Sequence, residues 1–196
     1  SQAHSIDSHF MRYEGLLGGI AAYATEMLQN ESQNTERMYF NKDFDNPDVR
    51  PRDMSKAKIY GFDLSLEWPT YVAPKGETTE DSLQLLKRLQ PLRRHYRRAV
   101  LRSHSENAVS LTPQRAKRRI GDLGVPIAWV YVGLENGGFS VFPGHGGWPD
   151  NFDPRERPWY KLAADKQGPQ WGAPHISTTG DKLILACAQA LYNEAD

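Results

Sequence analysis

The sequence contains one cysteine, Cys187, so no disulfide can form within the chain. A lone thiol leaves the redox compartment open, because many extracellular domains carry no bridge. Net charge is missing too, since 24 Lys plus Arg balance 24 Asp plus Glu. No global field therefore draws the chain to nucleic acid or to an anionic membrane, and any such attraction has to be local. Long apolar runs are also lacking. The best one, residues 16–25, is flanked by Glu14 and Glu26 and falls far short of the roughly 20 residues that span a bilayer. The chain opens at Ser1 with no initiator Met and no leader pattern, so membrane anchors of a parent protein are expected outside it. It has no P-loop, nucleophile elbow, Cys–His framework or internal repeat. His145 near Asp150 and Asp153 matches no recognised ligand spacing, so neither metal nor cofactor is expected.

What is present suits a globular domain: 196 residues, 39% hydrophobic and 24% charged, enough to bury a real core. Phe10, Tyr13, Leu17, Ile20, Ala24 and Met27 recur at spacings of three and four, one face of a long helix. Gly15, Gly18 and Gly19 weaken it by about 1 kcal/mol each, and close approach by another backbone is the expected reason for them. Residues 41–75, broken by Pro47, Pro51, Pro69 and Pro74, read as loop with one short strand. Thr79, Glu80 and Asp81 open a second helix, with Leu85, Leu89, Leu92, Tyr96 and Ala99 as its buried stripe. Pro91 is expected to kink or split it. Thr112-Pro113 opens a short helix that ends at Gly121 or Gly124.

The period then changes. Residues 127–134 and 139–142 read as strands joined through Asn136-Gly137, a strong hairpin signal. A helix is expected over 156–166, then strands over 170–176 and 183–192 around a turn at Thr179-Gly180-Asp181. The order predicts an α+β fold, an antiparallel sheet with helices covering one face.

The run Phe152-Asp153-Pro154-Arg155-Glu156-Arg157-Pro158-Trp159-Tyr160 carries a resemblance. It follows Gly144 and precedes Trp171, Pro174 and Thr179-Gly180. The stretch 131–191 resembles Cache domains, in particular the double-Cache sensors of membrane-bound chemoreceptors and kinases, and a related segment occurs in accessory subunits of calcium channels. The resemblance implies a PAS-like fold with a long amino-terminal helix and a ligand pocket beside the sheet. It divides the chain into the helix (1–40), a helical and loop insertion (41–125) and the sheet with its pocket segment (126–196), all one membrane-distal module. It implies an extracytoplasmic location, flanking transmembrane helices in the parent protein, a possible homodimer, and a membrane-proximal module absent from this chain.

The residue types have their own logic. Arg157 offers a rigid fork of donors that suits a carboxylate. Trp159 supplies an apolar wall with one N–H, and Tyr160 a hydroxyl. On residue types alone the plainer reading is a turn fixed by an Asp153–Arg155 pair, with Trp159 in the core. The resemblance reverses this for Arg157 and Trp159, where related sensors contact ligand, and leaves Asp153 and Arg155 structural. Trp129 and Tyr131 are either pocket walls or core. His175 is either a ligand contact or a structural group.

Relatives that bind amino acids carry an aromatic hydroxyl where this chain has Phe152, and a Tyr and an Asp where it has His175 and Ser177. The carboxylates that an α-ammonium group requires are thus missing. A carboxylate or other small polar metabolite is the expected ligand.

Two rivals remain. The basic run Lys87, Arg88, Arg93, Arg94, Arg97, Arg98 and Arg102 is either a solvated face, favoured by the neutral chain, or a partner-binding or nucleic-acid face. Glu135, Asp150 and Glu156 are conceivable acid and base groups for a carbohydrate-acting enzyme that uses the aromatic loop 148–160. The expected role is a non-catalytic small-molecule sensor without nucleic-acid partners.

Overall fold

The computed structural model describes residues 2–76, 78–177 and 182–192. Helix α1 spans Gln2–Gln29 and buries Ile20, Ala21 and Ala24 against the helical layer. Its three glycines do not serve a close approach, because a Cβ on Gly15, Gly18 or Gly19 would meet nothing within 4 Å. Side chains hold this half of the helix instead. Phe10 meets Trp171 edge-on with centroids 4.6 Å apart, and the Trp171 indole N–H donates to Glu14 at 2.7 Å.

Residues 41–75 are more structured than expected. They form α2 (Asn41–Phe44), β1 (Ser55–Ala57), β2 (Phe62–Leu64) and β3 (Thr70–Val72). Strands of three residues are too short to display period-two alternation between prolines. Asp53 fixes the segment by accepting from Ser65 Oγ and the Leu66 N–H at 2.8 Å and from the Glu67 N–H at 3.0 Å.

Helix α3 (Glu80–Arg88) starts as the sequence predicts. Thr79 Oγ1 accepts from the Ser82 N–H at 3.1 Å while Ser82 Oγ accepts from the Thr79 N–H at 3.0 Å. Pro91 splits the long helix rather than kinking it, and α4 (Leu92–His104) follows. Leu86, Leu89, Leu92, Tyr96 and Val100 are fully buried along the two. Helix α5 (Pro113–Lys117) runs into a π turn, Arg118–Leu123, that stops at Gly124 with φ 86°.

Strands β4 (Val130–Gly133) and β5 (Phe139–Phe142) form the expected hairpin, with Gly137 at φ 91° in its turn. Strand β3 pairs on the other side of β5, giving an antiparallel order β3-β5-β4. The chain leaves through a cis Phe142–Pro143 bond, and Gly144 bonds both ways with Ser65. The helix expected over 156–166 is two pieces, a 3-10 turn Pro154–Glu156 and α6 (Pro158–Ala163). Arg157 between them is extended, φ −79° and ψ 143°, as a residue before proline is pushed to be.

The last two strands are also broken. β6 (Gln170–Trp171) pairs with β9 (Cys187–Ala188), and β7 (His175–Ile176) pairs with β8 (Leu183–Ile184). Pro174, which has no N–H to donate, interrupts the ladder. The turn expected at Thr179-Gly180-Asp181 lies outside the described residues. The fold is thus α+β, with a long amino-terminal helix, antiparallel strands and helices over one sheet face, an arrangement consistent with a PAS-like domain. Among the described residues the antiparallel pairing divides into one three-stranded and three two-stranded ladders.

Candidate ligand-binding face

Alternation splits the central sheet into two faces. Tyr71, Val130, Val132 and Phe142 point into the helical core, where the Tyr96 hydroxyl donates to Ser140 Oγ at 3.3 Å. Val72, Tyr131, Phe139 and Val141 point the other way and pack with Trp129, Trp148, Phe152 and Trp159. The second face is therefore rich in aromatic rings, and one segment, residues 143–160, covers it.

Asp153, Pro154 and Arg155 dock that loop on the hairpin. Asp153 caps the 3-10 turn by accepting from the Arg155 N–H at 3.0 Å. The Arg155 side chain donates to the Asp153 carboxylate at 3.0 and 2.8 Å and to the Glu135 carbonyl at 3.2 Å. Bonds from Arg155 hold the buried Asp153 carboxyl well down, at about 2. The structural reading of this pair holds.

The bracket places Trp159 directly over Gly133. A Cβ there would lie 2.7 Å from the indole Cη2 and 2.9 Å from Pro154 Cβ. The indole centroid is 4.6 Å from that of Tyr131 and 6.1 Å from that of Phe139. Tyr160 meets Trp159 edge-on at 5.9 Å. The Arg157 guanidinium lies 5.9 Å from the Phe152 ring. Burial raises the Tyr131 hydroxyl to about 12, and the Arg157 charge opposes the rise. The Arg157 backbone N–H donates to the Pro154 carbonyl at 3.1 Å, but among the described residues no group accepts a hydrogen bond from its guanidinium or forms an ion pair with it.

A second aromatic group adjoins. Trp129 packs on Tyr60 at 4.9 Å, on Phe62 at 6.2 Å and on His145 at 4.9 Å. His145 is buried. Its backbone N–H donates to Thr70 Oγ1, and its Nδ1 lies 2.7 Å from the Gly146 carbonyl. A carbonyl can only accept, so Nδ1 carries a proton. Burial lowers its pKa to about 4.

The structure thus gathers Trp129, Tyr131, Phe152, Arg157, Trp159 and Tyr160 on one face. His175 does not join them. It is exposed on β7, with Nδ1 3.2 Å from the Ala173 carbonyl, because the broken ladder carries β7 and β8 outward. Where an enclosed, solvent-poor pocket is expected beside Arg157 and Trp159, the indole itself occupies the space over Gly133. Two clefts, of about 380 and 430 Å³, are lined by residues 37–54 and by residues near the end of α1, respectively. Sequence reasoning missed Tyr60, Phe62, Phe139 and Gly133 as site members, and weighed His145 only as a metal ligand. The alternation of β5 marked Phe139, whereas the proline-rich segment gave no signal for Tyr60 and Phe62.

The basic helix is largely neutralised internally. Arg93 forks onto Glu36 with two bonds of 3.0 Å and lies 4.2 Å over the Trp68 ring. Arg97 pairs with Glu67 at 3.3 Å, Arg102 with Glu106 at 2.7 Å, and Lys87 with Glu80. Glu135, Asp150 and Glu156 are all exposed. Among the described residues no group of three metal-ligating side chains occurs, and no helix is long and apolar enough to cross a membrane.

Over part of its length the chain is similar to chemotaxis receptors. It is 43% identical over 56 residues to the methyl-accepting chemotaxis protein McpG of Pseudomonas putida KT2440. That stretch is 29% of this chain and spans only 9% of the receptor. Among solved structures, the ligand-binding domain of the Pseudomonas fluorescens chemoreceptor CtaA, in complex with L-alanine, is 33% identical. The match covers 34% of this chain and 29% of that one, with a TM-score of 0.31. No protein-family model matches the chain.

Proposed function

We propose that the chain is a Cache-type input module that binds a small carboxylate, or a similar polar metabolite, on its aromatic face without turning it over. One observation carries the reading. The Arg157 guanidinium, without a hydrogen-bond acceptor or ion-pair partner among the described residues, stands at the edge of an aromatic face built on one side of a sheet. A guanidinium against apolar walls is suited to recognising a carboxylate. The partial likeness to a chemotaxis receptor supports a sensor role. In this reading the module is the membrane-distal, extracytoplasmic part of a transmembrane receptor, with flanking spans in the parent protein, and it works as a homodimer.

Ligand has to displace Trp159, because the indole occupies the space above Gly133. That displacement would order the loop differently and shift the balance between two states of the module. The exposed position of His175 removes one contact that an amino-acid ligand would use, which favours a simple carboxylate.

Calorimetry with a panel of short mono- and dicarboxylates and the common amino acids tests the proposal. At least one carboxylate should bind saturably and quench indole fluorescence. Arg157→Ala should weaken that binding by about 1.5–3 kcal/mol, the scale of a hydrogen bond to a charged group. A panel without a single binder, or an unchanged dissociation constant in the variant, overturns the reading.

A further inference from the structure

The cleft of about 380 Å³ lies where the segment after α1 passes the loop between α2 and β1. It shares no lining residue with the aromatic face. Three arginines, Arg37, Arg50 and Arg52, are among its lining residues, with one acidic residue, Asp48.

The cleft is held in shape by its own chain. The Asn46 carbonyl accepts from the Val49 N–H at 3.2 Å and from the Arg50 N–H at 3.0 Å, and Asn46 Oδ1 accepts from the Asp48 N–H at 3.0 Å. Pro47 and Pro51 stiffen the same loop. Arg37 is oriented as well. It donates to the Val49 carbonyl at 3.3 Å and lies 4.5 Å over the Tyr39 ring.

Its charges, by contrast, are answered only in part. Arg50 stands 3.6 Å from Asp63. Among the described residues no carboxylate comes within ion-pair distance of Arg37 or Arg52. The contrast with α4 is direct, because Arg93, Arg97 and Arg102 each have a glutamate partner there.

We infer that this cleft is a second small-molecule site, for an anion of the phosphate or carboxylate class. Guanidinium forks match both groups bidentately. The cleft volume suits one small molecule, and the Tyr39 ring gives it an apolar wall. The inference stands apart from the aromatic-face reading, since neither site needs the other.

Calorimetry with inorganic phosphate and with citrate as probes, at low and at raised salt, tests it on the whole chain. One probe or both should bind saturably, more weakly as salt rises. Binding should weaken by about tenfold or more in Arg52→Gln and in Arg37→Gln. It should stay within about twofold in Arg94→Gln and Arg98→Gln, exposed controls on α4. Citrate binding alone assigns a polycarboxylate, and phosphate binding alone a phosphoryl group. Arg52 makes no hydrogen bond or ion pair among the described residues, so its variant decides the matter even if Arg37→Gln unfolds. The inference fails if neither probe saturates, or if the α4 controls lose as much as the cleft variants. It also fails if only Arg157→Gln abolishes binding, since the probe then sits on the aromatic face.

Discussion

Replacing Gly133 with alanine tests the architecture of the aromatic face with a single methyl group. Gly133 is absent from the positive-φ glycines, so its backbone does not demand glycine and only space is at issue. The added carbon would lie 2.7 Å from Trp159 Cη2, 3.2 Å from Cζ3 and 2.9 Å from Pro154 Cβ. Carbon pairs are comfortable at about 3.5–4.0 Å, so the indole has to retreat by nearly an ångström. Pro154 cannot yield easily, because the Asp153–Arg155 bracket holds it on the hairpin. Overpacking of this kind costs about 1–3 kcal/mol. Removing a glycine from the unfolded chain returns about 0.4–1 kcal/mol. The net expectation is a loss of roughly 1–2 kcal/mol, read by urea unfolding and accompanied by a changed near-ultraviolet dichroism. In a Trp159→Ala background much of the loss should vanish, leaving the part due to Pro154. A Gly133→Ala chain as stable as wild type, or one equally destabilised with the indole removed, refutes the packing argument.

His145 predicts a pH dependence. Burial favours its neutral ring, so the folded chain binds fewer protons than the unfolded chain between the ordinary value of 6.5 and about 4. Stability is therefore full above that window and falls on acidification through it, by at most about 3 kcal/mol. Urea unfolding at several pH values should show this slope flattened in His145→Asn, and an identical slope in the variant would exclude His145 as its source. Asp153→Ala removes both the cap and the Arg155 acceptor. It should lower thermal stability by about 0.5–2 kcal/mol, and a value near zero would mean that the loop docks without the bracket. Thr79→Ala should cost about 0.5–2 kcal/mol through the lost cap of α3, checked by thermal melts followed by circular dichroism.

The parts legible in the sequence are those with a local cause. The cap at Thr79, the break at Pro91 and the hairpin around Gly137 each follow from residues within a few positions of one another. The aromatic run around Trp159 was legible as a site candidate because its residues are adjacent in the chain. Phe62 and Tyr60 were not, because they reach Trp129 across more than sixty positions. Gly133 read as an ordinary strand residue, since only the folded chain brings an indole onto it. The glycines of α1 misled for the opposite reason. Their spacing suggested crowding, yet they face open space. His175 was placed by likeness to a pattern of relatives, and the interruption at Pro174 took it elsewhere.

Strand β5 serves both layers of the molecule in turn. Phe139 and Val141 belong to the aromatic side, while Ser140 and Phe142 belong to the helical side and touch Tyr96. Only one peptide plane separates the Phe139 ring, which packs on Trp159, from the Ser140 hydroxyl that Tyr96 of α4 holds. In the proposed sensor reading, a signal between the layers would need no relay of distant residues, only a small tilt of this single extended segment.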